Sequence, residues 1–287
     1  MRYTYTMNQP INITKSDGTT EPFEKEKLIS SLKRAGAAPE IVEDVVEDVE
    51  KEIREGITTA DVYVRARSLL REHSLPIAVK YSIRRAMMEL GPDGFPFEKF
   101  MARIFKTWGY ETLTDQTVMG SCVDHEVDVV AWKDDGLAMV EAKYHNEYGT
   151  KSDVKVALYV KARFDDIALA RLHYGGKDRK LTERWLATNT KFSAKAILYG
   201  SCNGLKLLGW NYPAEGNLHQ TIERNGLHPI TCMTSLSKLQ KRDLVGRGAL
   251  ACIDIVGQPA LLKDIGSKPE ESEKILTEAQ IIIEQAK

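Results

Sequence analysis

Hydrophobic positions recur every three to four residues through most of the first part of the chain. This spacing predicts helices over residues 25–35, 39–55, 59–73 and 75–90. Two short alternating strands precede them, on either side of Ser16, Asp17 and Gly18. An Asp-Gly pair favours a tight hairpin, because glycine accepts a positive φ without steric cost. The pattern therefore predicts a small β-hairpin followed by a helical bundle, ending at the turn-rich residues 91–94.

The middle of the chain, from about residue 95 to 210, mixes helical and strand periods. Helices are predicted over residues 96–109 and about 153–173, with strands over 126–132 and 137–144 and near 185–187 and 205–208. From about residue 217, short helical pieces broken by glycines lead to an amphipathic helix over 269–285. We predict a multidomain α/β protein with three domains: a hairpin and bundle (1–91), an α/β core (92–215) and a small helical domain (216–287).

Composition narrows the class of protein. With 287 residues, 43% hydrophobic and 28% charged, the chain is typical of globular proteins. We expect no membrane association, because no apolar stretch approaches the roughly 18 residues that span a bilayer. The first residues lack the pattern of a secretion signal, and the four cysteines have no paired CxxC spacing. These features predict a cytoplasmic protein with reduced, partly buried thiols.

The charges are unevenly distributed although the net charge is only −1. Residues 41–55 are strongly acidic, and they form either a solvated helix face or a contact between subunits. Between residues 143 and 195, basic residues outnumber acidic ones by roughly two to one. That excess either follows a nucleic-acid backbone or is a solvated face.

The two central strands carry the candidate chemistry. A two-residue loop at Asp135 and Gly136 would place Asp128 opposite Lys143, whereas a four-residue loop over 133–136 would place it opposite Glu141. Either register puts Asp128, Glu141 and Lys143 on one face, because side chains alternate with a period of two. A three-residue loop with a bulge would separate them.

Two carboxylates and an ammonium group on one face of a buried sheet need compensation for lost hydration. A divalent cation, Mg²⁺ or Mn²⁺, would supply it, and it keeps waters and phosphate oxygens in its shell. The lysine would then orient or deprotonate an attacking water, or neutralise charge on the phosphate. The alternative is an ordinary ion pair on an exposed sheet face.

This segment resembles the PD-(D/E)xK nucleases, and among them the Mrr-like restriction endonucleases. The Asp of the motif is Asp128 and the (E/Q)xK triplet is residues 141–143, whereas His125, Glu126 and Val127 stand where the proline of the family label would be. The resemblance implies a restriction-endonuclease-like core with a mixed sheet. It further implies that Asp128 and Glu141 ligate the metal, that Lys143 is the catalytic lysine, and that Glu98 on the preceding helix is an accessory acid. Glu98 is equally explained as an acid stabilised by the helix dipole.

Several polar residues lie beside this motif. His125, Tyr144 and His145 are candidates for proton transfer or phosphate contact, or are simply packed or solvent-facing side chains. The polar residues 189–193 precede a predicted helix. They either bind phosphate through free backbone N–H groups or cap that helix through Asn189, Thr190 or Ser193.

The first segment resembles an ATP-cone, a nucleotide-binding domain found in ribonucleotide reductases and their transcriptional repressor. The resemblance runs through residues 11–37, 57–66 and 81–90. It implies that ATP or dATP is bound as an effector and that the chain forms a homo-oligomer, a dimer or a tetramer. The residues in nucleotide-contacting positions are Ile13, Lys15, Glu21, Lys27, Thr58 or Thr59, and Arg84, with Ser16 where an arginine is frequent. No GxxxxGK[ST] loop is present, so we expect binding without hydrolysis.

The last segment permits two interpretations. Residues 234–258 faintly resemble a helix-hairpin-helix unit, whose backbone N–H groups would hold a DNA phosphate. The alternative is a helical cap packed on the core. Together these features predict a Mg²⁺-dependent DNA endonuclease controlled by ATP or dATP, with a defensive role by analogy alone. The alternatives are an inactive nucleotide-sensing DNA-binding protein, or a nuclease acting on RNA or branched DNA.

Overall fold

The computed structural model describes residues 11–15, 17–147 and 149–284. The predictions made for Ser16 and for the helix end at Gln285 lie outside these residues. The chain divides into two compact units, Met1–Ser82 and Ile83–Lys287. No helix in the described ranges combines the length and apolar character that crossing a bilayer requires.

The first unit is a β-hairpin followed by helices. Its elements are β1 (Asn12–Thr14), β2 (Thr20–Pro22), α1 (Lys25–Arg34), α2 (Pro39–Glu52), α3 (Thr59–His73) and the first part of α4 (Leu75–Met88). The two strands pair antiparallel, with Ile13 opposite Glu21, and Gly18 in the turn has a φ of +81°. Helix α3 begins with a capping box, in which Thr58 and Asp61 satisfy each other's backbone N–H groups. The helices bury one apolar stripe each, which confirms the predicted hairpin and bundle.

The second unit contains a mixed six-stranded sheet with helices on both faces and a separate two-stranded sheet. Its strands are β3 (Glu111–Met119), β4 (Asp124–Lys133), β5 (Gly136–Lys143), β6 (Lys151–Ser152), β7 (Leu172–Tyr174), β8 (Lys177–Thr188), β9 (Lys191–Phe192) and β10 (Leu205–Leu208). Its helices are α5 (Phe95–Thr107), α6 (Val154–Ala168), α7 (Ala194–Cys202), α8 (Leu218–Arg224), α9 (Lys238–Gly246), α10 (Cys252–Gly257), α11 (Ala260–Asp264) and α12 (Pro269–Glu284).

The order of the six-stranded sheet is β10-β8-β5-β4-β3, with β7 added to β8, and the two-stranded sheet consists of β6 and β9. Strand β8 runs parallel to β5 and β10, whereas β3 and β4 are antiparallel to their neighbours. One face packs on α5 and the other on α6 and α7. This three-layer arrangement confirms the predicted α/β core with a mixed sheet, because both faces of a largely buried sheet must be covered.

The C-terminal helices pack on the face that α5 covers. Leu218, Ile222 and Leu250 belong to the same buried cluster as Phe100 and Val129. Helix α5 is tied to the segment through an ion pair between Arg103 and Asp254. The buried carboxylate of Glu278 in α12 accepts hydrogen bonds from Thr234 and Ser235. Of the two predicted arrangements, these contacts favour the helical cap.

Several predicted boundaries were wrong. The helix expected over 153–173 ends at Ala168, because residues 172–174 form β7 and pair with β8. Strand β8 begins well before the predicted 185, and α2 ends at Glu52 rather than Glu55. Strand β3 was not predicted, because it is an edge strand in which Val118 alone is buried. A strand that buries so little leaves a weak apolar signal in the sequence.

Candidate active site

The hairpin of β4 and β5 sets the register of the candidate site. Lys133 pairs with Gly136 and Val129 with Val140, so the next position places Asp128 opposite Glu141. This is the register expected from the longer loop, although the turn itself is only Asp134 and Asp135. Asp134 takes a φ of +47°, in the left-handed region that such turns use.

Asp128 is a partly buried carboxyl at the centre of the site. The backbone N–H of Ala142 on β5 donates a hydrogen bond of 2.6 Å to its Oδ2. Burial raises the pKa of Asp128 to about 7, and the charge of Glu141 adds to the rise, while the Ala142 N–H opposes it. The site therefore holds negative charge that its own hydrogen bonds do not fully compensate.

Glu141 is held by an arginine from helix α6. Arg163 Nη1 lies 2.7 Å from Glu141 Oε2, and the two side chains are only 11% and 17% exposed. The same guanidinium lies over the ring of Tyr159, 5.3 Å from its centroid. Arg163 was not predicted, yet it follows the buried Val160 by three residues and precedes the buried Ile167 by four. An arginine on the apolar stripe of a helix needs a partner, and that signal was available in the sequence.

Lys143 and Glu98 complete the predicted set. Lys143 is exposed at the end of β5, on the same side as Glu141 by alternation. Glu98 is half-buried in the first turn of α5. Burial raises the pKa of Glu98, followed by the charges of Asp115 and Glu141. The charge of Glu98 also contributes to the raised pKa of Asp128, so the structure brings the four predicted residues to one region.

Strained backbone lies directly beside Asp128. Asp115 of β3 has a φ of +55°, between the pairs Thr114–Val129 and Gln116–Val127 of the ladder. Aspartate tolerates this conformation better than most residues, yet it remains unfavourable. Such strain concentrates at functional sites. Asp115 was not predicted because its strand was missed.

The donor set fits a hard divalent cation. In the part of the chain that the structure describes, no three His, Cys, Asp or Glu side chains are grouped so as to hold a metal by themselves. Mg²⁺ does not need such a cage, because it is typically bound by one or two carboxylates, several waters and substrate phosphates. A cation there would neutralise the charge of Asp128, which its hydrogen bond to Ala142 N does not fully compensate.

The start of β4 is fastened to helix α6 by Asp166. His125 Nε2 lies 2.8 Å from Asp166 Oδ2, and the backbone N–H groups of Cys122 and Val123 donate to the same carboxylate. These bonds, that of His125 first, lower the pKa of Asp166 to about 2. His125 is thereby assigned to holding the β3–β4 turn.

The other polar candidates also have structural partners. The hydroxyl of Tyr144 donates to Met88 O at 2.7 Å, and His145 Nε2 lies 3.0 Å from Ser152 Oγ. The Asn189 side chain bonds to both backbone groups of His145. Asn189 and its neighbour Thr190 are fully buried, and Ser193 Oγ accepts from Ala196 N, so Ser193 is the cap of α7. Of the two alternatives for residues 189–193, these contacts favour capping of the helix, by Ser193.

Three of the predicted nucleotide contacts meet beside the hairpin of the first unit, with Lys27 coming from α1. Lys15 Nζ lies 2.6 Å from Glu21 Oε2, and Lys27 Nζ lies 3.5 Å from Glu21 Oε1. The two lysines hold the pKa of Glu21 below its usual range, with the Lys15 bond the largest cause. Two exposed ammonium groups on one carboxylate can turn to an anionic ligand at small cost.

Of the remaining predicted contacts, Ile13 lies opposite Glu21 in the hairpin. The Ile13 side chain is buried in β1, and Thr14 N donates to Ile57 O, beside Thr58. The Thr58 hydroxyl is engaged with Asp61, while Thr59 is the first residue of α3. Arg84 lies on the part of α4 that belongs to the second unit.

Family models match three successive parts of the chain. Residues 11–88 match the ATP cone domain, residues 91–209 match the Mrr catalytic family, described as a restriction endonuclease, and residues 228–283 match the AF1548-like C-terminal family. The matched domains are those of a nuclease that carries a nucleotide-binding regulatory domain. The chain is thus an ATP-cone joined to a restriction-endonuclease-like core and a helical C-terminal region.

Relatives cover the larger part of the chain. An uncharacterized protein of Archaeoglobus fulgidus is 36% identical over 184 residues, 64% of this chain and 99% of the relative. A crystal structure titled as a protein of unknown function, AF1548, shares 34% identity with a TM-score of 0.55, covering 67% of this chain and 99% of that one. The chain therefore belongs to the AF1548-like family. The MspJI restriction endonuclease, in complex with a 27-mer oligonucleotide, is similar at 13% identity over 77% of this chain and 44% of that one. Its TM-score of 0.29 is too low to establish a shared fold.

Proposed function

We propose that the second unit is a Mg²⁺-dependent endonuclease that hydrolyses phosphodiester bonds of DNA. The observation that carries this proposal is the opposition of Asp128 and Glu141 across one hairpin, with Lys143 beside them. This arrangement lies within residues that match a restriction endonuclease family. The family match favours DNA over RNA as the substrate.

The surroundings of each candidate residue suggest its role in the hydrolysis. Asp128 and Glu141 would hold the cation, and the bound cation would polarise the phosphate and neutralise developing charge. The N–H of Ala142 keeps Asp128 turned toward β5, so the two carboxylates stay together. Lys143 is exposed, so its ammonium group can reach a phosphate oxygen or orient the attacking water.

We further propose that ATP or dATP binds the first unit and controls this hydrolysis. The match of residues 11–88 to the ATP cone and the meeting of Lys15, Glu21 and Lys27 support nucleotide binding there. We expect the control to operate through the association of copies of the chain, as a homo-oligomer.

Cleavage of plasmid DNA with Mg²⁺ tests the nuclease. Asp128→Ala, Glu141→Ala and Lys143→Ala should each lower the rate by roughly 100-fold or more, because each removes a group that stabilises the transition state. Asp135→Ala is the matched control, since this carboxylate is exposed in the turn at the other end of the hairpin and pairs with Lys177 at the surface. Equal cleavage by the wild type and Asp128→Ala would overturn the assignment of this site.

A further inference from the structure

The pairing of Arg163 with Glu141 creates a competition at the candidate metal site. Glu141 is one of the two carboxylates that would hold a cation, yet its Oε2 lies 2.7 Å from Arg163 Nη1. A guanidinium and a divalent cation on one carboxylate repel each other, and this repulsion is strong where water is largely excluded. Arg163 and the cation are therefore alternative counter-ions for Glu141.

Arg163 cannot leave Glu141 without finding another acceptor. Its side chain is only 11% exposed, and an unpaired charge at that burial is costly. It lies on α6 between Val160 and Ile167, whose burial against the sheet keeps the helix in place. The ring of Tyr159 also contacts the guanidinium, so the head group stays beside Asp128 and Glu141. The new acceptor must come to this place from outside.

A phosphate group has the chemistry that this position requires. A guanidinium carries five N–H donors in a planar fork, which matches two oxygens of a phosphate. A phosphodiester presented to Asp128, Glu141 and Lys143 would lie within reach of the same head group. After this exchange the guanidinium would still be paired, and the cation at Glu141 would no longer be repelled by it.

We propose that Arg163 gives up Glu141 for a DNA phosphate when the cation binds, so that cation and DNA bind cooperatively. This inference rests on the proposed nuclease function. Without DNA, Arg163 opposes the cation, and with DNA it no longer does. The pairing thus keeps the site from loading a cation before a substrate is present.

Mn²⁺ binding without DNA, measured by electron paramagnetic resonance, tests whether Arg163 opposes the cation. Arg163→Gln should bind Mn²⁺ roughly three- to tenfold more tightly than the wild type, because a competing positive charge is removed. Arg163→Lys retains the charge and should stay within about twofold of the wild type. Lys161→Gln is the control, since it removes a positive charge from the same helix whose partner is Asp165 and not Glu141. Weaker or unchanged binding by Arg163→Gln would overturn the proposal.

Whether DNA relieves this opposition is tested by repeating the Mn²⁺ titration with a duplex whose phosphorothioate linkages slow hydrolysis. In the wild type the duplex should tighten Mn²⁺ binding by roughly tenfold, and in Arg163→Gln by about twofold or less. An equal gain in both proteins would overturn the exchange. Melting temperatures with and without Mn²⁺ check that each variant is folded.

These outcomes are distinct from failure of the nuclease itself. If neither the wild type nor Asp128→Ala cleaves DNA, the proposed function fails, whatever Arg163 does. If the wild type cleaves but Arg163→Gln shows wild-type binding of Mn²⁺, the nuclease stands and the exchange of partners falls.

Discussion

At the scale of single residues, Asp128 is the most perturbed group of the candidate site. Burial and the charge of Glu141 raise its pKa from 3.8 to about 7. The folded protein therefore retains a proton that the unfolded chain loses. The contribution of this group to stability is fully present below pH 3.8 and is lost as the pH rises through about 7.

This pKa predicts the pH dependence of cation binding. A cation takes the carboxylate form, so Mn²⁺ affinity should rise about tenfold per pH unit as the pH approaches 7 and should level off above it. Calorimetric titrations across this range measure the effect. Asp128→Asn has no proton to release at this position, and its affinity should be weaker and nearly flat with pH. A wild-type affinity independent of pH between about 5 and 7 would contradict the raised pKa.

At the scale of elements, helix α6 holds both strands that carry the carboxylates. Arg163 pairs with Glu141 of β5, and one turn later Asp166 binds the turn that begins β4. The helix is itself fixed by Asp153, which accepts from Lys155 N and Val156 N at its start. One helix therefore contacts both strands that carry the carboxylates.

Gly120 lies where the contact between Asp166 and the β3–β4 turn leaves no room for a side chain. A Cβ at Gly120 would meet the Asp166 carboxylate and would lie 2.7 Å from Val123 O. Gly120→Ala should therefore lower the melting temperature and loosen the β3–β4 turn, at a cost of about 1–3 kcal/mol. Thermal denaturation followed by circular dichroism measures the change.

Gly246 provides the opposite control. It is the last residue of α9, and a Cβ there would meet nothing within 4 Å. Gly246→Ala should leave stability unchanged or raise it by up to about 1 kcal/mol, because alanine loses less backbone freedom on folding. If both variants lose stability equally, the crowding at Asp166 is not the cause.

At the scale of the whole molecule, one helix carries the chain from the first unit into the second. Helix α4 begins among the helices of the first unit and ends with Met87 and Met88 in the second. Thr231 Oγ1 and Tyr144 Oη donate to the backbone of its last turns, at Ala86 O and Met88 O. The end of α4 is therefore hydrogen-bonded directly to Tyr144, the residue that follows Lys143 at the end of β5.

Nucleotide binding should be visible as stabilisation of the whole chain. ATP or dATP should raise the melting temperature, since a ligand of the folded state stabilises it by mass action. Lys15→Ala should reduce this shift, because it removes one of the two ammonium groups at Glu21. Lys51→Ala is the control, as Lys51 pairs with Glu47 and Asp48 on α2. Calorimetry that detects no binding of either nucleotide would contradict the proposal.

The sequence predicted those features that depend on neighbours along the chain. Apolar residues around Asp128 and Glu141 predicted the two strands, and the period of two placed both carboxylates on one face. The choice between two registers needed the turn, where Asp134 adopts a positive φ. Strand β3 escaped prediction because an edge strand buries little. Asp115, which lies on that strand, was therefore not predicted as a site residue.

The sequence by itself determined the hairpin, the helical bundle, the identity of the candidate catalytic residues and the families to which they point. These follow from local periodicity and from short motifs, which need no knowledge of distant contacts. The tertiary structure alone decided that Arg163 pairs with Glu141, that Asp166 fastens β4, and that the C-terminal helices cap the α5 face. Each of these joins residues more than 20 positions apart, where chain connectivity imposes no geometry and only packing brings the partners together.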